Sequence, residues 1–154
     1  NNADYPHLPM FEYNGVFEIV RNAELPMLGI CAGHQMLAFT YGYSFVRSMG
    51  WEDISALEKE QQRQPIHIIR EAPIFAGMKN PFIAPEIHGW AVAVIPEDFE
   101  LLAQSSYVQN IKHKTKFIYG SQFHPEVEVP YNEGKDLLIN FLKMALANYP
   151  KVSD

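Results

Sequence analysis

Apolar positions along this chain follow two different rhythms. From Met10 to Ala23 they fall at Phe11, Val16, Phe17, Ile19 and Val20, close to the 3.6-residue repeat of an amphipathic helix. Pro26-Met27-Leu28-Gly29-Ile30 is a short apolar run that predicts a buried strand, and the run from Ala32 to about Tyr41 predicts a helix opening directly after it. The stretch Ser55 to Gln64 is charged and amide-rich and reads as a solvated face or loop. Ile66 to Ile69 predicts a strand, and Ala72 to Met78 a turn or short helix. Further strands are expected at Phe82 to Ala84, Ala91 to Ile95, Glu100 to Gln104, Val108 to His113 and Phe117 to Phe123. In the closing stretch, Asn132 to Ala147, residues Leu137, Leu138, Phe141, Leu142 and Ala145 recur at helical spacing. Short strands alternating with helices, with no internal repeat or long linker, predict one α/β domain over residues 1–154.

Composition narrows the function classes. The 154 residues carry a formal charge of -6, whereas a nucleic-acid partner selects a basic face; no nucleic-acid partner is expected. No apolar run is long enough to span a bilayer, so no membrane partner is expected either. One cysteine excludes an internal disulfide and points to a reducing, cytoplasmic setting. A single thiol without ligand spacing also argues against a zinc site, and no metal or cofactor is expected.

The chemistry concentrates in two segments. In Leu28-Gly29-Ile30-Cys31-Ala32-Gly33-His34-Gln35, a strand turning straight into a helix would leave Cys31 on a sharp bend at the sheet edge. Gly29 and Gly33 stand two residues to either side, where such a bend needs small residues. The helix amides that follow lower a thiol pKa and can donate to a developing oxyanion, the Ala32 amide among them. A lone cysteine is most often a small buried hydrophobe, and the glycine frame is what favours a nucleophile here.

The second segment is Tyr119-Gly120-Ser121-Gln122-Phe123-His124-Pro125-Glu126. His124 and Glu126 are two apart and face one side of an extended chain, with Pro125 stiffening the link. A nucleophilic thiol needs a base and the base needs an orienting group, so Cys31, His124 and Glu126 form a candidate catalytic triad. His34 is expected to pack or cap locally, and His7, His67 and His113 have no partner pattern.

These residues resemble a known family. Gly29-Ile30-Cys31-Ala32-Gly33-His34-Gln35 and Gly120-Ser121-Gln122-Phe123-His124-Pro125-Glu126 look like the two signatures of class I glutamine amidotransferases. Pro73 to Met78, His88-Gly89-Trp90, and Val94-Ile95-Pro96 leading into Phe99 to Ala103 are also similar. The resemblance covers roughly residues 10 to 147. It implies a three-layer, flavodoxin-like α/β fold and hydrolysis of L-glutamine through a glutamyl thioester on Cys31. It also implies that Gln35, Gly89 and Trp90 contact the substrate and that Ala32 supplies a backbone donor. The ammonia would pass to a synthetase domain or subunit, and the Phe99 to Ser105 stretch is somewhat similar to GMP synthetase amidotransferase domains.

Two departures accompany the likeness. Nothing ahead of position 31 reads as the first core strand and glycine-rich loop that family members place there. The expectation is therefore an N-terminally incomplete domain with one oxyanion donor, a loss of about 2.7–4 kcal/mol in transition-state stabilisation. Ile87 stands where relatives carry a polar residue, which weakens the substrate assignment beside it. A free-standing γ-glutamyl hydrolase, and a non-catalytic regulatory module on the same fold, are the competing expectations.

Overall fold

The computed structural model describes residues 14–41, 46–48 and 64–148. Helix α1 (Asn14–Arg21) leads into strand β1 (Met27–Ile30), which turns at Cys31 into helix α2 (Ala32–Thr40). Strands β2 (Val46–Ser48) and β3 (His67–Ile68) follow, then a 3-10 turn at Pro73–Phe75. The remainder is β4 (Trp90–Val92), β5 (Phe99–Gln104), β6 (Val108–His113), β7 (Ile118–Ser121) and helix α3 (Lys135–Asn148). The start of the first expected helix, and all but the last residue of the Ser55 to Gln64 stretch, lie outside the described residues.

The main sheet runs β1-β7-β6-β5-β3, and β2 pairs with β4 separately. Among the described residues only β1 and β7 pair in parallel, in the register Met27↔Ile118 to Ile30↔Ser121. The other pairs are antiparallel. Side chains alternate across β7 as a strand requires. Ile118 joins Val20, Leu37, Phe99 and Ile111 on the face covered by α1 and α2. Tyr119 joins Phe82, Leu102, Phe123, Leu137 and Phe141 on the face covered by α3 and the 3-10 turn. Helix, sheet and helix thus make the three expected layers, with an apolar cluster on each side of the sheet.

Several expected elements are shorter than their apolar runs. Of Phe82 to Ala84 only Phe82 bridges, to Ile66, because the chain leaves the sheet to run toward the site. The Ala91 to Ile95 strand is Trp90–Val92. Helix α3 begins at Lys135 rather than Asn132, because the Asn132 side chain accepts from the Gly134 amide at 2.9 Å and holds a turn there. Only Leu137 and Phe141 are buried on α3, while Leu142 is exposed; the helix is rotated from the expected stripe so that Phe141 meets Phe117 and Tyr119. No described helix is long and apolar enough to cross a membrane.

His34 on α2 packs rather than caps: it is fully buried, and neither ring nitrogen makes a hydrogen bond of standard geometry. Burial, aided by the nearby His88, lowers its pKa to about 3, with the Gly120 backbone offsetting part of the shift. The unfolded chain takes up a proton on this ring below about 6.5, and the folded chain does not until about pH 3. Its contribution to stability is complete above pH 6.5 and disappears as pH falls toward 3, a loss on the order of several kcal/mol. Replacing His34 with glutamine should flatten the stability profile across that interval in urea titrations. An unchanged slope would contradict the assignment.

Candidate active site

Two parallel neighbours end at one edge of the sheet, so the residues after them meet. β1 ends at Ile30 and β7 at Ser121, opposite each other. The Cys31 amide extends that ladder to the Ser121 carbonyl at 2.7 Å, and the Cys31 carbonyl accepts from the Gln35 amide at 3.1 Å to begin α2. One residue therefore belongs to strand and helix at once. Its backbone is left-handed, with φ 52° and ψ -105°, a conformation that costs a non-glycine residue on the order of 1–3 kcal/mol and collects at functional sites. The side chain that results is 3% exposed.

Close packing imposes the bend. A Cβ on Gly29 would lie 2.7 Å from the backbone of Gly33, whereas one on Gly33 would meet nothing within 4 Å. The two glycines flanking Cys31 thus do different jobs: Gly29 lets the helix approach the strand, and Gly33 is the part of the helix whose backbone comes close. Ala32 opens α2 directly after the thiol, with the positive end of the helix dipole beside it.

His124 lies three residues beyond β7, its amide bonded to the Pro85 carbonyl at 2.9 Å. Its Nδ1 donates to Glu126 Oε1 at 2.7 Å, which fixes the ring orientation and leaves Nε2 for the sulfur. At rest Nε2 is buried and makes no hydrogen bond of standard geometry. The sulfur's influence therefore comes through a looser contact, common before substrate binds. Cys31 is nevertheless the main influence raising the His124 pKa to about 9; burial opposes it and Glu126 adds to the rise. The His124 side chain is largely enclosed at 13% exposure, and that of Glu126 is open to solvent at 43%.

Gln35 sits one turn into α2. Its Nε2 donates to the Trp90 carbonyl at 2.5 Å and to Gln122 Oε1 at 3.1 Å. With both amide hydrogens committed, the side chain presents Oε1 as an acceptor. Gly89 and Trp90 enter β4 next to this contact, and the Trp90 carbonyl rather than its ring holds Gln35. The Cys31 thiol donates to the Ile87 carbonyl at 3.7 Å. Ile87 meets Cys31 through main chain while its side chain is exposed.

Two further residues shape the cluster. Gln122 Nε2 lies 3.9 Å from the Cys31 sulfur while its Oε1 accepts from Gln35. Asn132 Nδ2 donates to the carbonyls of His124, Pro125 and Val127 at 3.3, 3.2 and 2.8 Å, holding the turn that aims Glu126. Gln122 was visible only as part of the His-Pro-Glu segment, and Asn132 only as an Asn-x-Gly turn signal. A recess of about 550 Å³ beside Glu126, walled by Val127, Glu128, Lys135 and Leu138, does not include Cys31 among its walls. Among the described residues no group of three His, Cys, Asp or Glu side chains is arranged to hold a metal ion.

A thiol on a strand–helix bend, beside an imidazole oriented by a carboxylate, is the constellation of a cysteine nucleophile. The sequence matches the glutamine amidotransferase class-I family over residues 10–145, and the chain belongs to that family. It is 41% identical over 82% of its length to a glutamine-hydrolyzing GMP synthase subunit of Methanocaldococcus jannaschii, and covers 64% of that protein. The corresponding subunit of Methanococcus maripaludis is 40% identical, with 81% of this chain and 62% of the relative covered. Among solved structures, a putative GMP synthase subunit from Thermoplasma acidophilum superposes with a TM-score of 0.74 at 29% identity. That match covers 90% of this chain and 66% of the other. A glutamine amidotransferase from Thermotoga maritima shares the fold, with a TM-score of 0.63 at 23% identity over 97% of this chain and 60% of that one. The chain thus spans a little under two thirds of the length of these relatives.

Proposed function

We propose that this chain hydrolyses L-glutamine to glutamate and ammonia, with Cys31 as nucleophile, His124 as acid and base, and Glu126 orienting His124. The observation that carries the reading is the buried Cys31 sulfur on a strained bend beside a histidine whose Nδ1 is bound to a carboxylate at 2.7 Å. His124 Nε2 takes the thiol proton as the sulfur attacks the side-chain amide carbon, and the electron pair of the C=O bond moves onto oxygen. The Ala32 amide, at the head of α2, is the backbone donor assigned to that oxyanion. Collapse of the adduct breaks the C–N bond, and His124 Nε2 gives the departing nitrogen its proton. The glutamyl thioester that remains is attacked by water, from which His124 takes a proton; the thiolate leaves and glutamate is released.

The far end of the substrate carries an ammonium group, which suits the Gln35 Oε1 acceptor, with Gly89 and Trp90 forming the adjoining wall. Ammonia is useful only if transferred before protonation by bulk water, so a synthetase domain or subunit is the expected recipient. The names of the relatives favour one that makes GMP. A free catalytic thiol suits a reducing, cytoplasmic setting.

Glutamate and ammonia formation from glutamine, measured beside a γ-glutamyl peptide, tests this reading. Faster turnover of glutamine, rising further when a GMP-forming synthetase subunit is added, is the expected result. Faster turnover of the peptide with no stimulation would assign the site to γ-glutamyl hydrolysis instead.

A further inference from the structure

The reaction outlined above gives Gln122 no task, yet this residue stands between the nucleophile and the residue expected to hold the far end of the substrate. Its side chain is fully buried. It lies on the segment that leaves β7, two residues ahead of His124, and its amide is held by the Gln109 carbonyl at 2.8 Å. Its Oε1 accepts from Gln35 Nε2 at 3.1 Å, and its Nε2 lies 3.9 Å from the Cys31 sulfur. Cys31 and Gln35 are one helical turn apart, joined by the bond from the Gln35 amide to the Cys31 carbonyl. The helix thus sets their backbones, but each side chain has still to be turned toward the same point. Gln122 spans the pair.

The direction of each bond follows from a group that cannot donate. The Trp90 carbonyl only accepts, so the Gln35 atom 2.5 Å from it is nitrogen. The same nitrogen reaches Gln122, whose facing atom is therefore the amide oxygen. The Gln122 nitrogen is then the atom left to point at the sulfur. The resting thiol has a second contact, donating to the Ile87 carbonyl at 3.7 Å. That contact is lost once the thiol hydrogen has moved to His124, because a carbonyl only accepts. The Gln122 N–H, by contrast, can donate to sulfur with or without that hydrogen.

We infer that Gln122 positions the nucleophile: its amide fixes the Cys31 sulfur relative to the Gln35 acceptor and keeps hold of the sulfur while the thiol hydrogen is on His124. It acts through Cys31 and Gln35, so it is a positioning residue, and its kinetic role rests on the glutaminase reading above. A buried amide that merely filled the space between β7 and α2 would affect folding without affecting where the sulfur lies against a bound glutamine.

Gln122→Met keeps the length of the side chain and removes both polar ends. Gln35 retains its bond to the Trp90 carbonyl, so the fold should persist, as circular dichroism would show. Two reagents are then compared at one pH: an electrophilic glutamine mimic and iodoacetamide. Both register how readily the sulfur reacts, but only the mimic, anchored at Gln35, registers where the sulfur lies. The ratio of mimic to iodoacetamide rates should fall about tenfold in Q122M, the order expected for one lost positioning hydrogen bond. The kcat for glutamine should fall at least as far, with KM changing less because Gln35 keeps its other partner. In the wild-type chain, alkylation of Cys31 by iodoacetamide should shift the Gln122 side-chain amide signals in 15N–1H spectra. An unchanged rate ratio in folded Q122M, or Gln122 signals indifferent to alkylation, would overturn the proposal. Should Q122M not fold, the wild-type spectra decide it. If the wild-type chain neither hydrolyses glutamine nor reacts with the mimic, the functional reading fails, and the same spectra decide whether Gln122 holds the sulfur.

Discussion

Replacing His124 with asparagine is expected to lower glutamine hydrolysis by about four orders of magnitude, because it removes the group proposed to exchange protons with sulfur and leaving nitrogen. The fold should survive, since the ring hangs beyond the end of β7 and its amide bond to Pro85 is made by main chain. Wild-type activity should fall on the alkaline side as pH passes about 9, where the raised His124 loses the proton needed by departing ammonia. Glu126 contributes to that elevation, so Glu126→Gln should move the alkaline limb to lower pH as well as reduce kcat. Steady-state rates across pH 6 to 10 decide both points. A limb that stays in place in E126Q would mean that Glu126 does not act on the ring.

Gly29→Ala should be a damaging single methyl group, because what it meets is helix backbone rather than a movable side chain. Its Cβ would meet the Gly33 carbonyl carbon and oxygen at 2.7 Å, and backbone on the first turn of a buried helix has nowhere to go. Overpacking of this kind costs about 1–3 kcal/mol. The strain is relieved by pushing α2 away from β1, which moves the Cys31 bend with it. A displacement near 1 Å at the nucleophile costs on the order of 100-fold in rate. Loss of activity exceeding the loss of folded protein, measured by circular dichroism and ammonia release on the same samples, is the expected pattern. Gly33→Ala, which meets no other atom within 4 Å, is the control and should retain most activity.

The parts of the fold that sequence could reach are those whose signal is local. β1 and α2 announce themselves because a short apolar run, a glycine frame and a helix-forming stretch stand in one line. The bend at Cys31 follows from their junction. β2 left no signal: it is a three-residue strand whose existence depends on pairing with β4, more than forty positions later. α3 was visible by period, but its buried stripe depends on which aromatic residues of β7 and the preceding turn reach it. Within the candidate site, Cys31, His124 and Glu126 stood out because their chemistry is carried by short motifs. Gln122 and Asn132 did not, since their contacts are with a partner far along the chain or with backbone carbonyls, which have no letter in the sequence. Ile87 makes the same point in reverse: its side chain departs from the family pattern, and its contact with Cys31 is made by its carbonyl.

The most direct measurement is the intact mass of the protein after exposure to an electrophilic glutamine mimic, with and without excess glutamine. A generic thiol reagent run alongside reports whether Cys31 is accessible. A single adduct on Cys31, suppressed by glutamine and slowed in His124→Asn, is the result expected of a glutamine-directed nucleophile. A folded protein whose thiol reacts with the generic reagent but not with the glutamine mimic would contradict the assignment of this site to glutamine hydrolysis.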